Sequence, residues 1–346
     1  MERRPSGPES HAHVVSDMTR QILLIANGNP LSRDAVRIAH QVQERIENLA
    51  KASANLVTTA FAGHAEQIAE EWAGAHPDGV IIAVGGDGTL NEVANGVVAA
   101  TAKTGARTAV AAYPAGNAND QVRSWKWGET SIADLVRMGG TTPVDILELS
   151  YVRSDKEESG RRYAMSYIAV GFLATAASIL DKRRRNALTN FLIVPLTLLR
   201  FRPVRVLIAG NEITLDSLSF HIVSTMAKYV KVSSNARRDD GLMEMVVVPH
   251  RRMFTRLRIL WLAARALIGL GKQQQRASMG FHWEAGGDVQ LDGETIHVPP
   301  ASDVVISCVP RAIRMLSGVT APIGRDGSAS QQATSSGPTD DRTPLH

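Results

Sequence analysis

The chain has 346 residues, of which 44% are hydrophobic and 21% are charged, and its formal net charge at pH 7 is +4. This composition is ordinary for a soluble globular protein, and the length allows one large core or two moderate ones. The net charge is too small to argue for nucleic acid as a partner, and we expect none. The single cysteine, Cys308, excludes an intramolecular disulfide and is typical of a reducing compartment.

Neither a membrane-spanning helix nor a signal peptide is predicted. A spanning helix needs about 20 continuous apolar residues, and the sequence has no such run. Residues 1–19 are polar and lack the apolar core of a signal peptide, so we expect a cytoplasmic protein. Residues 1–19 and 320–346 are rich in Ser, Pro, Gly, Thr and charge, which predicts two disordered tails.

Strands alternate with helices in the first half of the chain, over a predicted domain at 20–150. The strand candidates are 21–26, 55–60, 79–84, 108–112 and 144–149, and the helix candidates are 33–51, 64–75, 90–101 and 131–138. This alternation predicts an α/β domain with a parallel sheet covered by helices on both faces. Ligands bind such sheets beyond the carboxyl ends of the strands. Asn29, Thr59, Asp87 and Gly116 each follow a strand, so we expect them to meet at one edge.

The second half of the chain is predicted as a mainly antiparallel β-sandwich domain over 151–319. Its strand candidates are 163–170, 204–208, 219–224, 242–248, 280–284, 289–291 and 304–309, with one helix at about 252–270. Short strands interrupted by a single helix are typical of antiparallel architectures. The last strands are expected to return toward the first domain.

The most informative segment runs from Val84 to Gly96, between a buried strand and a helix. Its glycines 85, 86 and 88 allow a tight turn and close approach of a ligand, and the first N–H groups of the helix suit a phosphate. Asp87 adds a carboxylate, which indicates Mg²⁺ handling or proton abstraction beside that phosphate. The alternative is a plain strand-to-helix turn in which Asp87 caps the helix.

This pattern resembles the diacylglycerol kinase catalytic family, which includes bacterial lipid kinases and sphingosine kinases, and more distantly the NAD kinases. The resemblance extends from about Gln21 to Ile313. It rests on separated motifs at 27–32, 58–65, 84–96, 114–120, 239–242 and 292–294. Their order and spacing are specific for the family but not for one substrate.

The resemblance implies ATP as phosphoryl donor, with Mg²⁺, and a set of nucleotide contacts. These contacts are Asn29, Thr59, Gly85, Gly86, Asp87, Gly88, Thr89, Leu90, Asn91, Glu92, Gly116 and Asn117. Asn117 stands where the family has Thr, so the geometry of that contact is open.

The resemblance also implies the general base. Asp292, Gly293 and Glu294 lie between two strand candidates, and Asp-Gly alone indicates a hairpin turn. In the family the Glu of this motif, here Glu294, takes the proton of the acceptor hydroxyl. Asp87 is the second catalytic carboxylate, which either shares that role or positions Mg²⁺.

A structural Mg²⁺ site is implied around residues 237–242. The carboxylate of Asp240 and the main-chain carbonyls of Arg237 and Leu242 would bind the ion, and Arg123 and Asp145 fall at the positions of an adjoining charged network. The alternative is a plain charged turn.

The acceptor side departs most from the family. Ser166 replaces an Asn, the segment 227–229 replaces a Gly run, and Ser234 replaces a Pro. These differences leave the nature of the acceptor open.

Two segments interleave basic and apolar residues, 182–205 and 251–272. Basic groups beside apolar faces suit anionic lipid headgroups. We interpret 182–205 as a membrane contact, and 251–272 as a core-facing helix with a solvated basic face.

The sequence therefore predicts an ATP-dependent lipid kinase, peripheral at the inner membrane face, that phosphorylates diacylglycerol or a related lipid. One alternative is an NAD-kinase-like enzyme with a soluble acceptor. Another is a catalytically silent protein that binds lipid or nucleotide. The oligomeric state stays open, with a homodimer as a candidate.

Overall fold

The computed structural model describes residues 20–29, 34–115, 131–153, 155, 158–172, 174, 203–223, 225–226, 230–231, 236–250 and 272–318. Several predicted features lie outside these ranges. They are Gly116, Asn117, Arg123, Ser234, the segment 227–229, both tails, and most of the two basic segments.

Four parallel strands form the first part of the sheet. They are β1 (Ile22–Ala26), β2 (Ala54–Thr58), β3 (Val80–Gly85) and β4 (Ala109–Pro114), in the order β4-β3-β1-β2. The helices are α1 (Ala35–Arg45), continued by a π-helical turn at Ile46–Ala50, α2 (His64–Ala75), α3 (Asp87–Thr104) and α4 (Ile132–Met138). The predicted α/β fold with a parallel sheet is confirmed.

Both faces of β1 are buried, and successive residues of the strand contribute to opposite faces. Leu23 and Ile25 of β1 pack into a cluster with the apolar side chains of α2 and α3. Ile22 and Leu24 pack on the other face with those of α1 and α4. Each fully buried Ile or Leu contributes about 1.5–3 kcal/mol relative to exposure, so this double burial holds β1 at the centre of the domain.

The fifth predicted strand is longer than expected and is not parallel. It is β5 (Gly140–Arg153), and it pairs antiparallel with the last strand, β17 (Ser302–Ser317), and with β6 (Ser159–Ala164). The reason is that the end of β17 pairs in parallel with β4, at Arg314 and Met315. The position beside β4 is therefore taken by the end of the chain, which local alternation cannot reveal.

The remaining strands are antiparallel, as predicted for the second half. In chain order they are β7 (Tyr167–Gly171), β8 (Val204–Ile208), β9 (Asn211–His221), β10 (Thr225–Met226), β11 (Val230–Lys231), β12 (Met243–Pro249), β13 (Lys272–Arg276), β14 (Ser278–Trp283), β15 (Gly287–Leu291) and β16 (Glu294–Val298). A third hydrophobic cluster, which includes Phe220, Trp283 and Ile306, fills this region.

The strands of this half differ from the prediction in two ways. The candidate at 163–170 is two strands, because the chain bends at Met165 and Ser166 between β6 and β7. In addition, β10, β11, β13 and β16 were not predicted. None of the helices in the described part of the chain is long and apolar enough to cross a membrane.

Candidate active site

The glycine turn joins β3 to α3 without any left-handed residue. β3 ends at Gly85, Gly86 is extended with φ −95° and ψ −173°, and α3 begins at Asp87. Gly85, Gly86 and Gly88 are absent from the positive-φ residues of the described backbone, so the turn does not depend on the positive φ that glycine allows. What glycine contributes to this turn is the absence of a side chain.

The space around two of these glycines differs. A Cβ at Gly85 would lie 2.5 Å from Thr89 Oγ1, so glycine allows the strand and the helix to approach. A Cβ at Gly88 would meet nothing within 4 Å. The first turn of α3 is therefore open beside Asp87, and its N–H groups have no intrahelical acceptors. This arrangement can receive a phosphate.

The loops after β1 and β2 lie against this turn. The Asn27 side chain donates to Thr89 Oγ1 at 3.1 Å, and its Oδ1 accepts the Asn29 N–H at 2.9 Å. The Gly28 N–H donates to Thr59 Oγ1 at 3.1 Å. Asn29, Thr59 and the glycine turn thus meet at the carboxyl edge of three adjacent strands. Asn27, which joins them, was not predicted as a site residue.

The later residues of the predicted nucleotide set hold α3 in place. Thr89, Leu90 and Asn91 are buried. Glu92 Oε2 accepts the N–H of Ala65 at 3.1 Å and so satisfies a donor at the start of α2. In this structure the accessible part of the turn is its beginning, from Gly86 to Gly88.

The hairpin between β15 and β16 carries two carboxylates, those of Asp292 and Glu294. Its two central residues, Asp292 and Gly293, have φ of 47° and 98°, as in the common two-residue hairpin turns. Leu291 pairs with Glu294 across the hairpin. The hairpin interpretation of this motif is therefore confirmed, and the turn places Glu294 at the first position of β16.

Asp292 is buried and holds the bend between β6 and β7. Its carboxylate accepts the N–H groups of Met165, of Ser166 at 3.0 Å and of Tyr167 at 3.0 Å. Burial raises the pKa of Asp292 to about 6, the accepted N–H groups oppose this shift, and the negative charge of Asp87 adds to it. Asp87 and Asp292, which are far apart in sequence, are therefore neighbours in space.

Arg162 of β6 connects Glu294 to the first half of the chain. Its Nη1 donates to the carboxylate oxygens of Glu66 in α2 at 2.7 and 2.6 Å, and its Nη2 donates to Glu294 Oε1 at 3.2 Å. Burial alone would lower the pKa of Arg162, but its hydrogen bond to Glu66 and the charges of Glu294 and Glu66 raise it. Glu294 is thus held in place by a cation while its side chain stays 40% exposed.

Asn95 fixes α3 to the strand that carries Arg162. The Asn95 amide donates to the Tyr163 carbonyl at 3.0 Å and accepts the Tyr163 N–H at 3.0 Å. Because Asn95 is only 4% exposed, both bonds are shielded from water. The open turn of α3 and the Arg162–Glu294 pair therefore keep a fixed relative position. Sequence motifs gave no signal for Asn95, Arg162 or Glu66, since their partners lie in distant elements.

The segment from Arg237 to Leu242 forms a turn held by Asp145. The Asp145 carboxylate accepts the N–H of Gly241 at 2.7 Å and that of Arg311 at 2.8 Å. Asp240 is exposed, and its Oδ1 accepts the Leu242 N–H at 3.0 Å. Asp145, predicted for an adjoining network, therefore positions the turn.

The donor set predicted at this turn suits Mg²⁺ in chemical type, because one carboxylate and two carbonyls are hard oxygen ligands. Side chains alone do not make a site: in the described part of the chain no three His, Cys, Asp or Glu residues could hold a metal ion. Cys308 adds no ligand here, since burial and the charges of Asp145 and Asp240 raise the pKa of its thiol to about 12.

Arg238 of this turn interacts electrostatically with Asp292 of the hairpin. Burial lowers the pKa of its guanidinium to about 10, while the negative charge of Asp292 acts in the opposite direction. Arg238 therefore stays positive at neutral pH, and its charge attracts the Asp292 carboxylate.

The first part of the chain is similar to a known protein family. Residues 21–149 match the family model of the diacylglycerol kinase catalytic domain. The chain is 27% identical over 235 residues to sphingoid long-chain bases kinase 1 of Arabidopsis thaliana, a match that covers 65% of this chain and 28% of that protein. It is 26% identical over 195 residues to a diacylglycerol kinase of Staphylococcus aureus, covering 54% of this chain and 58% of that protein.

The fold has a solved counterpart. A diacylglycerol kinase structure from Bacillus anthracis strain Sterne superposes with a TM-score of 0.59 at 17% identity, covering 87% of this chain and 97% of that one. At this identity the similarity establishes the fold alone. The matched segments span between 28% and 58% of the curated relatives. The predicted resemblance is therefore confirmed for residues 21–149, which match the diacylglycerol kinase catalytic domain.

Proposed function

We propose that this protein is an ATP-dependent lipid kinase that transfers the γ-phosphate of ATP to a lipid hydroxyl, with diacylglycerol or a related lipid as acceptor. One observation carries the proposal. Asp87, at the start of the open helix turn, lies close enough to Asp292 to influence its pKa, and Asp292 belongs to the hairpin that carries Glu294. A phosphate-receiving turn and a candidate base therefore lie side by side.

Phosphoryl transfer needs a held nucleotide, neutralised phosphate charge and a positioned acceptor. The first turn of α3, with Asn29 and Thr59 beside it, supplies the first requirement. Gly116 and Asn117 are proposed as further nucleotide contacts that lie outside the described residues. This division corresponds to a nucleotide-binding domain at 20–150 and an acceptor domain at 151–319.

Glu294 is the proposed general base. It is half exposed, so an acceptor hydroxyl can reach it, and Arg162 fixes the direction of its carboxylate. Asp292 is less suited to this role, because backbone N–H groups already occupy its oxygens. Glu294 would take the hydroxyl proton as the oxygen attacks the γ-phosphorus and the β–γ bridging oxygen leaves with ADP.

Mg²⁺ that accompanies ATP would neutralise phosphate charge near Asp87. A second, structural Mg²⁺ is proposed at Asp240 with the carbonyls of Arg237 and Leu242, where the oxygen donors fit that ion.

The lipid acceptor is supported by the names of the two curated relatives, a kinase of sphingoid bases and one of diacylglycerol. Contact with a membrane through 182–205 is proposed from the sequence, since most of that segment lies outside the described residues. The protein would then be peripheral at the cytoplasmic face.

Transfer of labelled phosphate from ATP to dioctanoylglycerol in mixed micelles tests this proposal. Asp87→Asn should lower turnover by about 10²–10³, the usual effect of losing a key electrostatic group. Asp78→Asn is the matched control, because Asp78 is an exposed Asp beside the opposite end of β3, paired with Arg107. Equal turnover in the wild type and Asp87→Asn would remove Asp87 from the mechanism.

Two other results would redirect the proposal. Label that reaches NAD but no lipid would identify a soluble acceptor. Binding of ATP without transfer to any acceptor would identify a silent binding protein.

A further inference from the structure

A row of polar side chains is buried in the antiparallel half, on β15 and β9, the two strands that flank β7. Gln290, Ser219 and His221 are each 0% exposed. Gln290 pairs with Ala169 of β7, which pairs with Ser219 of β9, so Gln290 and Ser219 belong to one cross-strand row. The adjacent row on the same face pairs Tyr167 with His221. Leu291, Ile168 and Phe220 point to the opposite face, into the hydrophobic cluster.

The polar groups of this face are only partly satisfied. His221 Nε2 hydrogen-bonds Ser219 Oγ at 2.9 Å, and the Tyr167 ring stacks on the His221 ring with centroids 6.1 Å apart. Among the residues that the structure describes, neither amide atom of Gln290 nor His221 Nδ1 has a hydrogen-bond partner. Buried side-chain amides without any partner are rare in folded proteins, because desolvation without a hydrogen bond costs free energy. A bound group is therefore expected beside Gln290.

This face is continuous with the proposed acceptor end of the active site. Gln290 lies two residues before Asp292, at the end of β15 that leads into the hairpin turn. Tyr167 donates its N–H to Asp292 and pairs with His221 in the next strand. Thr295, directly opposite Gln290 on β16, is exposed. The row thus begins beside the hairpin, with an exposed edge next to it.

We propose that Gln290, with His221 and Ser219 beyond it, recognises an uncharged group of the acceptor that both donates and accepts hydrogen bonds, such as an amide or a second hydroxyl. The proposal rests on the proposed kinase function and specifies its acceptor as a related lipid with such a group, for which diacylglycerol, whose other polar groups are esters, is the poorer substitute. An amide or hydroxyl can satisfy both Gln290 Nε2 and Gln290 Oε1, whereas an ester only accepts and would leave Oε1 unpaired.

The electrostatics of this face favour a neutral group near Gln290. Burial lowers the pKa of His221 to about 3, so this ring is uncharged near neutral pH. Glu244 lies opposite His221 on the neighbouring strand, β12, and accepts a hydrogen bond from Gln275 at 2.9 Å. Asp288, two residues before Gln290, is exposed and pairs with His297. A cationic acceptor would have to reach past the neutral His221 to meet the charge of Glu244.

A pair of acceptors that differ by one group tests the proposal. N-octanoylethanolamine and 2-hydroxyethyl octanoate share the terminal hydroxyl and the chain, but the first has an amide N–H where the second has an ester oxygen. The wild type should phosphorylate the amide with the higher kcat/KM. Gln290→Met, which keeps the length of the side chain, should reduce that preference about 10- to 100-fold, mainly through KM. Gln274→Met, at an exposed position of β13, should keep it.

Thermal unfolding gives a readout that does not depend on catalysis. Without lipid, Gln290→Met should melt no lower than the wild type, because an unpaired amide is removed. N-octanoylethanolamine should raise the melting temperature of the wild type but not of Gln290→Met. This stabilisation without any turnover would support the recognition site while the proposed kinase function fails.

Three results would overturn the inference. An equal amide preference in the wild type and Gln290→Met would make Gln290 a structural residue that is satisfied by water. The absence of both stabilisation and turnover with N-octanoylethanolamine would exclude such a site. A higher kcat/KM for the cationic 2-(octylamino)ethanol than for the amide would indicate that Glu244, rather than Gln290, recognises the acceptor.

Discussion

The two halves of the molecule build the candidate site in different ways. In the parallel half the backbone supplies the functional groups: the open turn at Gly86–Gly88, the N–H groups of α3, and short loops that follow β1 and β2. In the antiparallel half side chains supply them, with Arg162, Asp292 and Glu294 contributed by β6, a hairpin turn and β16. Backbone sites require small residues at fixed spacing, whereas side-chain sites require distant strands to pair correctly.

Because of this difference, we expect single substitutions in the two halves to reduce turnover to different extents. A backbone N–H survives most substitutions, so the nucleotide side should tolerate changes that leave Asp87 and its closely packed glycines in place. The acceptor side depends on individual carboxylates and one guanidinium. Single substitutions there should therefore have the larger effects on turnover, and they should leave ATP binding intact.

The largest effect is expected for Glu294→Gln, which keeps the shape of the side chain and removes its ability to take a proton. Turnover with dioctanoylglycerol should fall by about 10²–10⁴, the usual contribution of general-base catalysis. ATP affinity, measured by calorimetry, should stay unchanged because the nucleotide contacts lie in the other half. Glu212→Gln, at an exposed position of β9, is the matched control.

If Glu294→Gln retained nearly full activity, the hairpin would be a structural turn and the acceptor proton would leave by another route. A loss of ATP binding in the same variant would contradict the separation of the two halves. Either result is distinguishable from unfolding by the melting temperature of the purified variant.

The next largest effect is a dependence of stability on pH that Asp292 should cause. Its pKa is about 6 in the folded protein against an ordinary 3.8, because it is buried. Between these values the folded state binds more protons than the unfolded state. The contribution of Asp292 to stability is therefore present at low pH and lost as pH rises from about 4 to about 6, by at most about 3 kcal/mol.

Asp292→Asn tests this dependence through a difference in unfolding free energy. The wild type minus the variant should decline as pH rises through that window, when both are unfolded with urea at several pH values. His221 has the opposite effect, because burial lowers its pKa to about 3, but it is present in both proteins and cancels. A difference that does not change between pH 4 and pH 7 would mean that Asp292 titrates as an ordinary surface carboxylate.

Local patterns in the sequence were sufficient for the parallel half, since each strand, turn and helix there depends on neighbouring residues. The helix at 64–75 was predicted at its observed bounds. β5 was misassigned because its neighbour, β17, comes from the end of the chain. The bend at Met165 and Ser166 depends on Asp292, more than a hundred residues later, so no local pattern could reveal it.

The candidate site follows the same division. Asn29, Thr59 and Asp87 could be proposed from the motif order, and the structure places them at one edge of the sheet. Arg162, Glu66 and Asn95 could not, because a lone Arg, Glu or Asn carries no signal until its partner strand or helix is known. Gln290 is a further case: in the sequence it is an ordinary polar residue, and it becomes informative only because it is buried with no hydrogen-bond partner in the described part of the chain.

A smaller effect is expected for Arg162, the residue that joins the two halves. Arg162→Lys keeps the charge but cannot hold Glu66 and Glu294 with one planar fork. Turnover should fall about 10-fold, through kcat rather than KM, because Glu294 would lose its fixed direction. Arg161→Lys is the matched control: Arg161 is the exposed neighbour that approaches Glu148.

A double-mutant comparison separates positioning from general destabilisation. If Arg162 acts through Glu294, then Arg162→Lys should cost little further activity in the Glu294→Gln background. Full additivity of the two losses would mean that Arg162 contributes to turnover independently of Glu294.

The smallest effect is expected at the turn that is proposed to hold a structural Mg²⁺. A ligand that binds only the folded state stabilises it, so Mg²⁺ without ATP should raise the melting temperature of the wild type by about 2 °C for about 1 kcal/mol of binding. Asp240→Ala should abolish this increase, since Asp240 provides the one carboxylate of the proposed ligand set. Asp239→Ala is the control, because the adjacent Asp239 pairs with Arg237 through its side chain. Equal responses from both variants would make this segment a charged turn, held by Asp145 through the Gly241 N–H with no metal.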